Sequence, residues 1–268
     1  MGLRYVFSTA RLVTLLALAS LTEGLLQRTE RGINGSICET PGVSLSPQRC
    51  KKNEQVSFHP PSTPYPVICR SDIQAVDIPL LCDTVTDGGG WIVIQRRSTG
   101  EVDFNRDWAS YKAGFGSLEN DFWLGNEYIQ KISCCGYYEI RVEFEFNNRS
   151  EFTAYNLFSI DNETLNYTLH IGQPYVGNAG YSLWGSNMAH FSTYDRVNFP
   201  VSGEFAQLHR GGWWFYERTP TNESNLNGEW GVPGRLGVFW NSSTQAFSAT
   251  FTEMKIRKVY LGPDLYYQ

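Results

Sequence analysis

The sequence is poor in the features that mark nucleic-acid-binding, catalytic and zinc-binding proteins. It carries 22 Lys and Arg against 27 Asp and Glu, and this acidic balance disfavours nucleic acid or an anionic membrane as a partner. It has only 4 His and no Cys-X-X-Cys pair, so no zinc site is indicated. It also contains no Gly-X-Ser-X-Gly, His-Glu-X-X-His or P-loop motif, which argues against an enzyme.

A long hydrophobic run is missing as well. The main apolar stretch, residues 12–21, is about half the roughly 20 residues that a transmembrane helix needs. Arg4 and Arg11 precede it and small residues follow, which is typical of a secretory signal peptide. We therefore expect residues 1–24 to be a signal peptide and the protein to be secreted. No heptad or Gly-X-Y repeat predicts a coiled-coil or collagen stalk.

Aromatic residues and glycine are abundant, which favours a loop-rich globular domain over a helical bundle. Aromatics make up 15% of the chain, which has 25 Gly and 12 Pro. Strict alternation over residues 138–146 predicts a strand with one face in solvent. Further strands are predicted at 91–94, 165–171 and 251–259, and short helices at 108–112 and 122–132. Residues 175–249 are predicted to form long irregular loops, so the fold class is α+β.

Sequons and cysteines agree with an extracellular protein. Six sequons predict N-glycosylation at Asn34, Asn148, Asn162, Asn166, Asn222 and Asn241. In the strand predicted at 165–171, Asn166 falls on the polar face. An even number of cysteines in an oxidising compartment predicts disulfide bonds. The six cysteines allow fifteen pairings, and spacing alone does not choose among them.

Ordered sequence blocks resemble the fibrinogen C-terminal domain family. CDTVTDGGGW at 82–91 resembles the opening of that domain, and SNLNG at 224–228 resembles a late block. Further blocks match in order at residues 95–97, 102–108, 111–116, 122–127, 191–193, 212–214 and 252–257. The resemblance is strongest to the molluscan fibrinogen-related lectins, followed by ficolins and tachylectins.

The resemblance implies a mixed twisted sheet with short helices and long loops. The expected organisation is a flexible lead over 25–44, one fibrinogen-like domain over 45–262 and a tail over 263–268. The resemblance also implies recognition rather than catalysis: binding of carbohydrate or acetylated groups on microbial surfaces in innate immunity. The alternative is an extracellular module that binds a protein partner. A homo-oligomer is possible in either case.

The segment that resembles the family's calcium site departs from its pattern. Its two side-chain ligands fall on Val197 and Phe199, although calcium usually needs carboxylates among several oxygen ligands. Asp195 and Asn198 remain, with the backbone carbonyls of residues 201 and 203. The resemblance therefore leaves calcium possible but removes its expected carboxylates, and no metal or other cofactor is predicted.

The resemblance also suggests ligand-binding and disulfide residues. The family's pocket aromatics correspond to Trp230 and Phe247, while Trp213 and Trp214 lie in the same loop region. The alternative role for Trp213, Trp214 and Trp240 is to anchor loops to the core. A late family cysteine is replaced by Phe205, and its partner loop is longer and carries the Asn222 sequon.

The family's early disulfide is best matched by Cys50 and Cys82, with Cys69 as the second choice for the partner of Cys82. The adjacent cysteines, Cys134 and Cys135, are not expected to bond to each other, because their side chains diverge. They are expected to pair with Cys38 and Cys69, or one of them bridges to another chain.

Overall fold

The fold is built on one large antiparallel sheet. The computed structural model describes residues 67–70, 76–198, 209–216, 223–241 and 248–259, which belong to a compact unit of residues 40–268. Its strands are β1 (Val67–Arg70), β2 (Pro79–Asp83), β3 (Trp91–Arg97), β4 (Phe115–Gly116), β5 (Phe122–Trp123), β6 (Tyr138–Phe146), β7 (Arg149–Tyr155), β8 (Phe158–Ile160), β9 (Leu169–Ile171), β10 (Pro174–Gly177), β11 (Ser224–Asn225), β12 (Phe239–Trp240) and β13 (Phe251–Lys258).

The strand order of this sheet is β1-β2-β3-β13-β6-β7-β10, and β5 joins it by pairing with β3 and β4. The last of the described strands, β13, thus lies at the centre, between β3 and β6. Two small sheets pair β8 with β9 and β11 with β12. The described residues also form two short α-helices, α1 (Trp108–Ala113) and α2 (Asn126–Ser133), and four single-turn 3-10 helices.

One face of the sheet forms the hydrophobic core. Ile140 and Val142 of β6 and Met254 and Ile256 of β13 are fully buried, because side chains that alternate along a strand place every second residue on the same face. Helix α2 contributes Ile129, also fully buried, to the same core cluster.

The opposite face carries charged side chains that are paired across strands. Lys255 of β13 is fully buried; its Nζ lies 2.7 Å from Asp83 Oδ2 and from Glu143 Oε2, and 3.2 Å from Glu253 Oε1. The alternation predicted at 138–146 is confirmed, but its polar face is only partly in solvent: Glu139 is buried, Arg141 and Glu143 are half-buried and Glu145 is exposed. The partial burial is tolerated because charges of the neighbouring strands pair with one another.

The α+β class is confirmed, and the strands predicted at 91–94 and 251–259 and the helix predicted at 108–112 are present. The sheet expected to be mixed is instead antiparallel in all of its described strand pairs, because hairpins and returning loops connect them. The helix predicted at 122–132 begins only at Asn126, since Phe122 and Trp123 pair with β3. Likewise, the strand predicted at 165–171 contains only Leu169–Ile171, because Asn166 and Tyr167 adopt left-handed conformations.

Among the described residues, no helix combines the length and apolar character that crossing a bilayer requires.

Candidate functional site

The predicted ligand aromatics Trp213 and Trp214 lie in the core. Both indoles are fully buried, with ring centroids 5.5 Å apart, and Trp214 Nε1 donates to the Tyr167 carbonyl at 2.8 Å. Gly212 precedes them because a Cβ there would lie 2.7 Å from the Tyr111 ring. This placement corrects the assignment of the Trp213 indole to a ligand surface. It agrees with the alternative role of both residues, and of fully buried Trp240, as core anchors.

Trp230 lies apart from this pair, on another part of the loop region. Its ring packs so closely over Gly100, which has φ +75°, that a Cβ there would lie 2.1 Å from Trp230 Cδ1. The guanidinium of Arg97 lies 5.4 Å from the centre of the ring. The Trp230 ring is only partly exposed, and Phe247 lies outside the described residues. Among the three described aromatics, Trp213 and Trp214 contact each other, whereas Trp230 packs against Gly100 and Arg97.

A small recess opens where the segment at 209–216 meets β11 and β12. Its volume is about 20 Å³, enough for about one water molecule or a group of similar size. Aromatic side chains and polar groups share its wall, which is formed by Ser186, His209, Trp214, Phe215, Tyr216, Glu223, Ser224, Asn225 and Phe239. The mixture suits a ligand group with a small apolar end and adjacent hydrogen-bonding atoms.

Amides of the block at 224–228 hold the recess in place. Asn225 Nδ2 donates to the His209 carbonyl at 3.0 Å, and Asn227 Nδ2 donates to the Gly212 carbonyl at 2.9 Å. On its other side, Asn227 Oδ1 accepts from Gln95 Nε2 of β3 at 3.2 Å. This motif therefore connects the recess wall to the central sheet, a role that its sequence did not reveal.

Sequence reasoning missed His209, which lines the recess. Its ring centre lies 5.4 Å from that of Phe215, and its Nδ1 lies 2.7 Å from the Arg235 carbonyl. Because a carbonyl only accepts, this contact assigns the proton to Nδ1 in the neutral ring. Burial lowers the pKa of His209, and the charge of Arg235 lowers it further, so the imidazole favours its neutral form.

The side chains in the described part of the calcium-like segment form bonds within the protein. Asp195 Oδ1 accepts from the Trp108 amide at 2.9 Å, at the start of α1, and from Thr193 Oγ1 at 2.6 Å. Asn198 Nδ2 donates to the Phe191 carbonyl at 2.7 Å. Val197 supplies no side-chain oxygen, and Phe199 lies outside the described residues. One carboxylate directed at a helix and one amide do not fit a calcium site of the family type.

This segment itself contains a cation, Arg196. The Arg196 guanidinium lies 3.9 Å from the centre of the Trp108 ring, and it donates to Asn166 Oδ1 at 2.8 Å. It also pairs with Glu163 at 3.5 Å, and Lys112 binds the same carboxylate. Arg196 thus connects the calcium-like segment to α1 and to the turn that precedes β9.

The described sequons differ in accessibility. Asn148 is exposed in the two-residue turn between β6 and β7, where φ is 46° at Asn147 and 59° at Asn148, as such turns require. Asn162 and Asn166 are half-buried and accept hydrogen bonds through their side chains, whereas Asn241 is only 7% exposed. Asn34 and Asn222 lie outside the described residues.

Cys82 and Cys134 each take part in a disulfide bond. The Sγ atoms of Cys134 and Cys135 are 3.7 Å apart, so these neighbours are not bonded to each other. Cys50, the expected partner of Cys82, lies outside the described residues, and that pairing stays a prediction. In the sheet register Cys69 of β1 is paired with Leu80 and Cys82 of β2 with Val67, so the two cysteines lie on neighbouring strands, and Cys69 stays the second choice for the partner of Cys82.

Comparison with known proteins identifies the family. Residues 49–259 match the family described as the C-terminal globular domain of fibrinogen beta and gamma chains. The chain belongs to the fibrinogen C-terminal domain family. A techylectin-like protein of Phoneutria nigriventer is 42% identical over 74% of this chain and 85% of its own length. Human ficolin-3 is 40% identical over 62% of this chain and 56% of its own length.

The chain is also similar to members of the family that are not named as lectins. Human tenascin-R is 38% identical over 72% of this chain, but the matched part is only 14% of tenascin-R. The fibrinogen-like globe domain of human ANGPTL6 superposes with a TM-score of 0.69 at 33% identity, covering 84% of this chain and 100% of that domain. The family therefore includes lectin-like proteins as well as tenascin-R and ANGPTL6.

Proposed function

We propose that this protein is a secreted, lectin-like recognition protein that binds carbohydrate or acetylated groups on microbial surfaces and does not catalyse a reaction. The observation that carries the proposal is the recess beside His209 and Phe215, which offers a small apolar space next to polar atoms. Its size suits the methyl end of an acetyl group, with the sugar ring outside it. The 42% identity to a techylectin-like protein along most of that protein supports the same choice.

Calcium is not part of the proposed mechanism. The side chains of Asp195 and Asn198 are engaged within the protein, and Arg196 supplies a positive charge within the same segment. Binding of an acetylated sugar should therefore survive removal of divalent cations.

The test is capture of the secreted, glycosylated protein on an N-acetylglucosamine resin and on whole bacteria, each with calcium and with chelator. We expect capture that free N-acetylglucosamine reverses and that chelator leaves unchanged. Tyr216→Ala, at the recess wall, should lower capture at least about tenfold, which corresponds to about 1.4 kcal/mol. Tyr137→Ala is the matched control, since Tyr137 is 49% exposed and does not line the recess. Failure to bind either target would contradict the proposal, and loss of binding with chelator would contradict its calcium-independent form.

The second candidate is an extracellular module that binds a protein partner. The similarity to tenascin-R and to the ANGPTL6 globe domain favours it, as does the loss of the family's calcium carboxylates. In that case acetylated resins would not retain this protein. Affinity capture from extracellular fluid would instead recover a partner protein, and the Tyr216→Ala variant would no longer bind that partner.

A further inference from the structure

A groove on the charged face of the large sheet is separate from the recess and has no role in the proposed function. It has a volume of about 510 Å³, which is within the range of small-molecule sites. Its wall includes Arg96 of β3, Phe251 of β13, Glu145 of β6, and Ser150 and Phe152 of β7. The groove therefore crosses four strands of the sheet.

The groove begins at a glycosylation sequon. Residues 148–150 form this sequon, and its exposed Asn148 lies in the turn that joins β6 to β7. Ser150, the hydroxyl residue of the sequon, lines the groove and donates to Glu145 Oε1 at 3.1 Å. In the sheet register Ser150 pairs with Glu145 and Glu145 pairs with Phe251, so these three residues form one row across the sheet. Asn148 precedes this row by two residues, or roughly 7 Å of extended chain, so a sugar attached to it is within reach of the groove.

The charges of the groove favour a neutral ligand. The Arg141 guanidinium lies 3.6 Å from the centre of the Phe152 ring, and the Arg96 guanidinium lies 5.5 Å from that of Phe251. Because the protein's own cations already contact both rings, a cationic ligand gains little from them. Three glutamates also line the groove, and their carboxylates disfavour an anionic ligand.

The same wall offers hydrogen-bond donors as well as acceptors. Arg96 Nε and Nη1 are buried without a hydrogen-bond partner, and the ion pair of Arg96 with Glu253 is long, at 3.8 Å. Glu145 is exposed and contributes acceptor oxygens. N-acetylglucosamine, the sugar that is linked to asparagine in an N-glycan, carries an amide N–H, a carbonyl and several hydroxyls. It both donates and accepts without a charge, so its chemistry matches this wall.

Covalent attachment removes the need for tight binding. A ligand held on a short flexible tether has an effective concentration in the millimolar range. A groove with only weak affinity for a sugar is therefore occupied by one attached two residues away, in preference to a dilute sugar from outside.

We propose that this groove is the docking site of the N-glycan attached to Asn148, with its first N-acetylglucosamine residues lying against Ser150, Glu145 and Phe251. The docked glycan covers the hairpin end of the charged face and holds the β6–β7 turn. The proposal rests on the groove and the sequon alone, and the recess is left as the surface for an external ligand.

The first test is NMR of the secreted protein with ¹³C-labelled glycans and phenylalanine rings. We expect nuclear Overhauser effects between acetyl methyl groups of the Asn148 glycan and the rings of Phe152 or Phe251. These signals should be missing from Asn148→Gln, which identifies the glycan that gives rise to them. An unmodified Asn148, or a glycan without contacts to either ring, would overturn the proposal.

Enzymatic release of the glycan tests the groove wall. Glu145→Ala removes acceptor oxygens and leaves the sequon intact. We expect a peptide N-glycosidase to release the Asn148 glycan from this folded variant roughly two- to tenfold faster than from the wild type, as loss of one hydrogen bond implies. Glu119→Ala, which removes an exposed carboxylate outside the groove, should leave the rate unchanged. Equal release rates from Glu145→Ala and the wild type would contradict the proposal.

A free sugar distinguishes the attached glycan from an external one. Millimolar N,N′-diacetylchitobiose should shift the ring signals of Phe152 and Phe251 in Asn148→Gln but not in the glycosylated wild type, where the groove is occupied. Equal shifts in both proteins would make the groove a site for external glycans and would overturn the proposal. Capture of Asn148→Gln on the acetylated resin should match that of the wild type, so failure of this proposal is distinguishable from failure of the lectin function.

Discussion

Lys255 shows how much a single buried charge contributes to this fold. Its ammonium group touches the carboxylates of Asp83, Glu143 and Glu253, and its side chain has no exposed surface. Removing it would leave two fully buried carboxylates, Asp83 and Glu253, without this counter-ion. We expect Lys255→Met to lower the free energy of unfolding by about 3–5 kcal/mol, measured by urea denaturation with tryptophan fluorescence.

Lys131→Met is the control for that experiment. Lys131 forms a surface pair with Glu127 one helical turn away, at 3.3 Å, and such pairs contribute about 0.3–0.5 kcal/mol. Equal losses in the two lysine variants would contradict a structural role for the buried cluster.

Glu253 makes stability depend on pH. Burial raises the pKa of its carboxyl above the ordinary value of 4.5, although Lys255 and Arg96 act in the opposite direction. The folded protein thus binds this proton more tightly than the unfolded chain does. The stabilisation is present below pH 4.5 and is lost as the pH rises through the higher pKa of the folded state.

Glu253→Gln cannot ionise, so we expect its stability relative to the wild type to increase as the pH is raised from 4.5 towards neutrality. Urea denaturation over this range gives the difference directly. The exposed-site variant Glu119→Gln corrects for the general effect of removing one negative charge. A difference between Glu253→Gln and the wild type that does not change with pH would contradict the raised pKa.

Accessibility should decide which described sequons carry glycans. Asn148 is exposed at a hairpin turn, whereas Asn241 is 7% exposed. We expect Asn148→Gln to remove the mass of one glycan from the secreted protein and Asn241→Gln to leave the glycan mass unchanged. Intact-mass spectrometry before and after glycosidase treatment measures both, and a glycopeptide containing Asn241 would contradict the second expectation.

At the scale of elements, Arg196 determines how the calcium-like segment is held. Its contacts with the Trp108 ring, Asn166 and Glu163 connect that segment to α1 and to the turn before β9. A cation–π contact and a partly exposed ion pair together contribute about 1 kcal/mol. We expect Arg196→Ala to lower Tm by about 2–4 °C, and chelator to leave the wild-type Tm unchanged.

Arg210→Ala serves as its control, because Arg210 forms one exposed pair with Glu229. A rise in wild-type Tm on adding calcium would show that this segment binds the ion despite its side chains.

Sequence periodicity predicted secondary structure best where the same periodicity continued along the whole segment. The strict alternation at 138–146 matches β6 residue for residue, and the predicted helix at 108–112 matches α1 to within one residue. The helix predicted at 122–132 is confirmed from Asn126 onward, but its first residues were wrong, because Phe122 and Trp123 pair with β3. Prediction failed at Asn166, whose left-handed backbone interrupts a run that alternates in sequence.

For the whole molecule, covalent cross-links should contribute much of the stability. Cys82 is fully buried on β2 and disulfide-bonded, and a cross-link restricts the unfolded chain. We expect Cys82→Ala to lower the free energy of unfolding by about 2–5 kcal/mol in urea denaturation. Reductant should destabilise the wild type more than it destabilises Cys82→Ala, and equal effects on both would contradict this assignment.

The sequence by itself determined the family, the α+β class and the main strands, because these depend on local periodicity and on ordered motifs that remain legible without a structure. Tertiary structure decided which side chains meet. It buried Trp213 and Trp214, placed Trp230 over Gly100 and brought His209 to the recess wall. It also placed Glu143 of β6 against Lys255 of β13. The physical reason is that burial and ion pairing depend on neighbours distant in sequence, which no local pattern records.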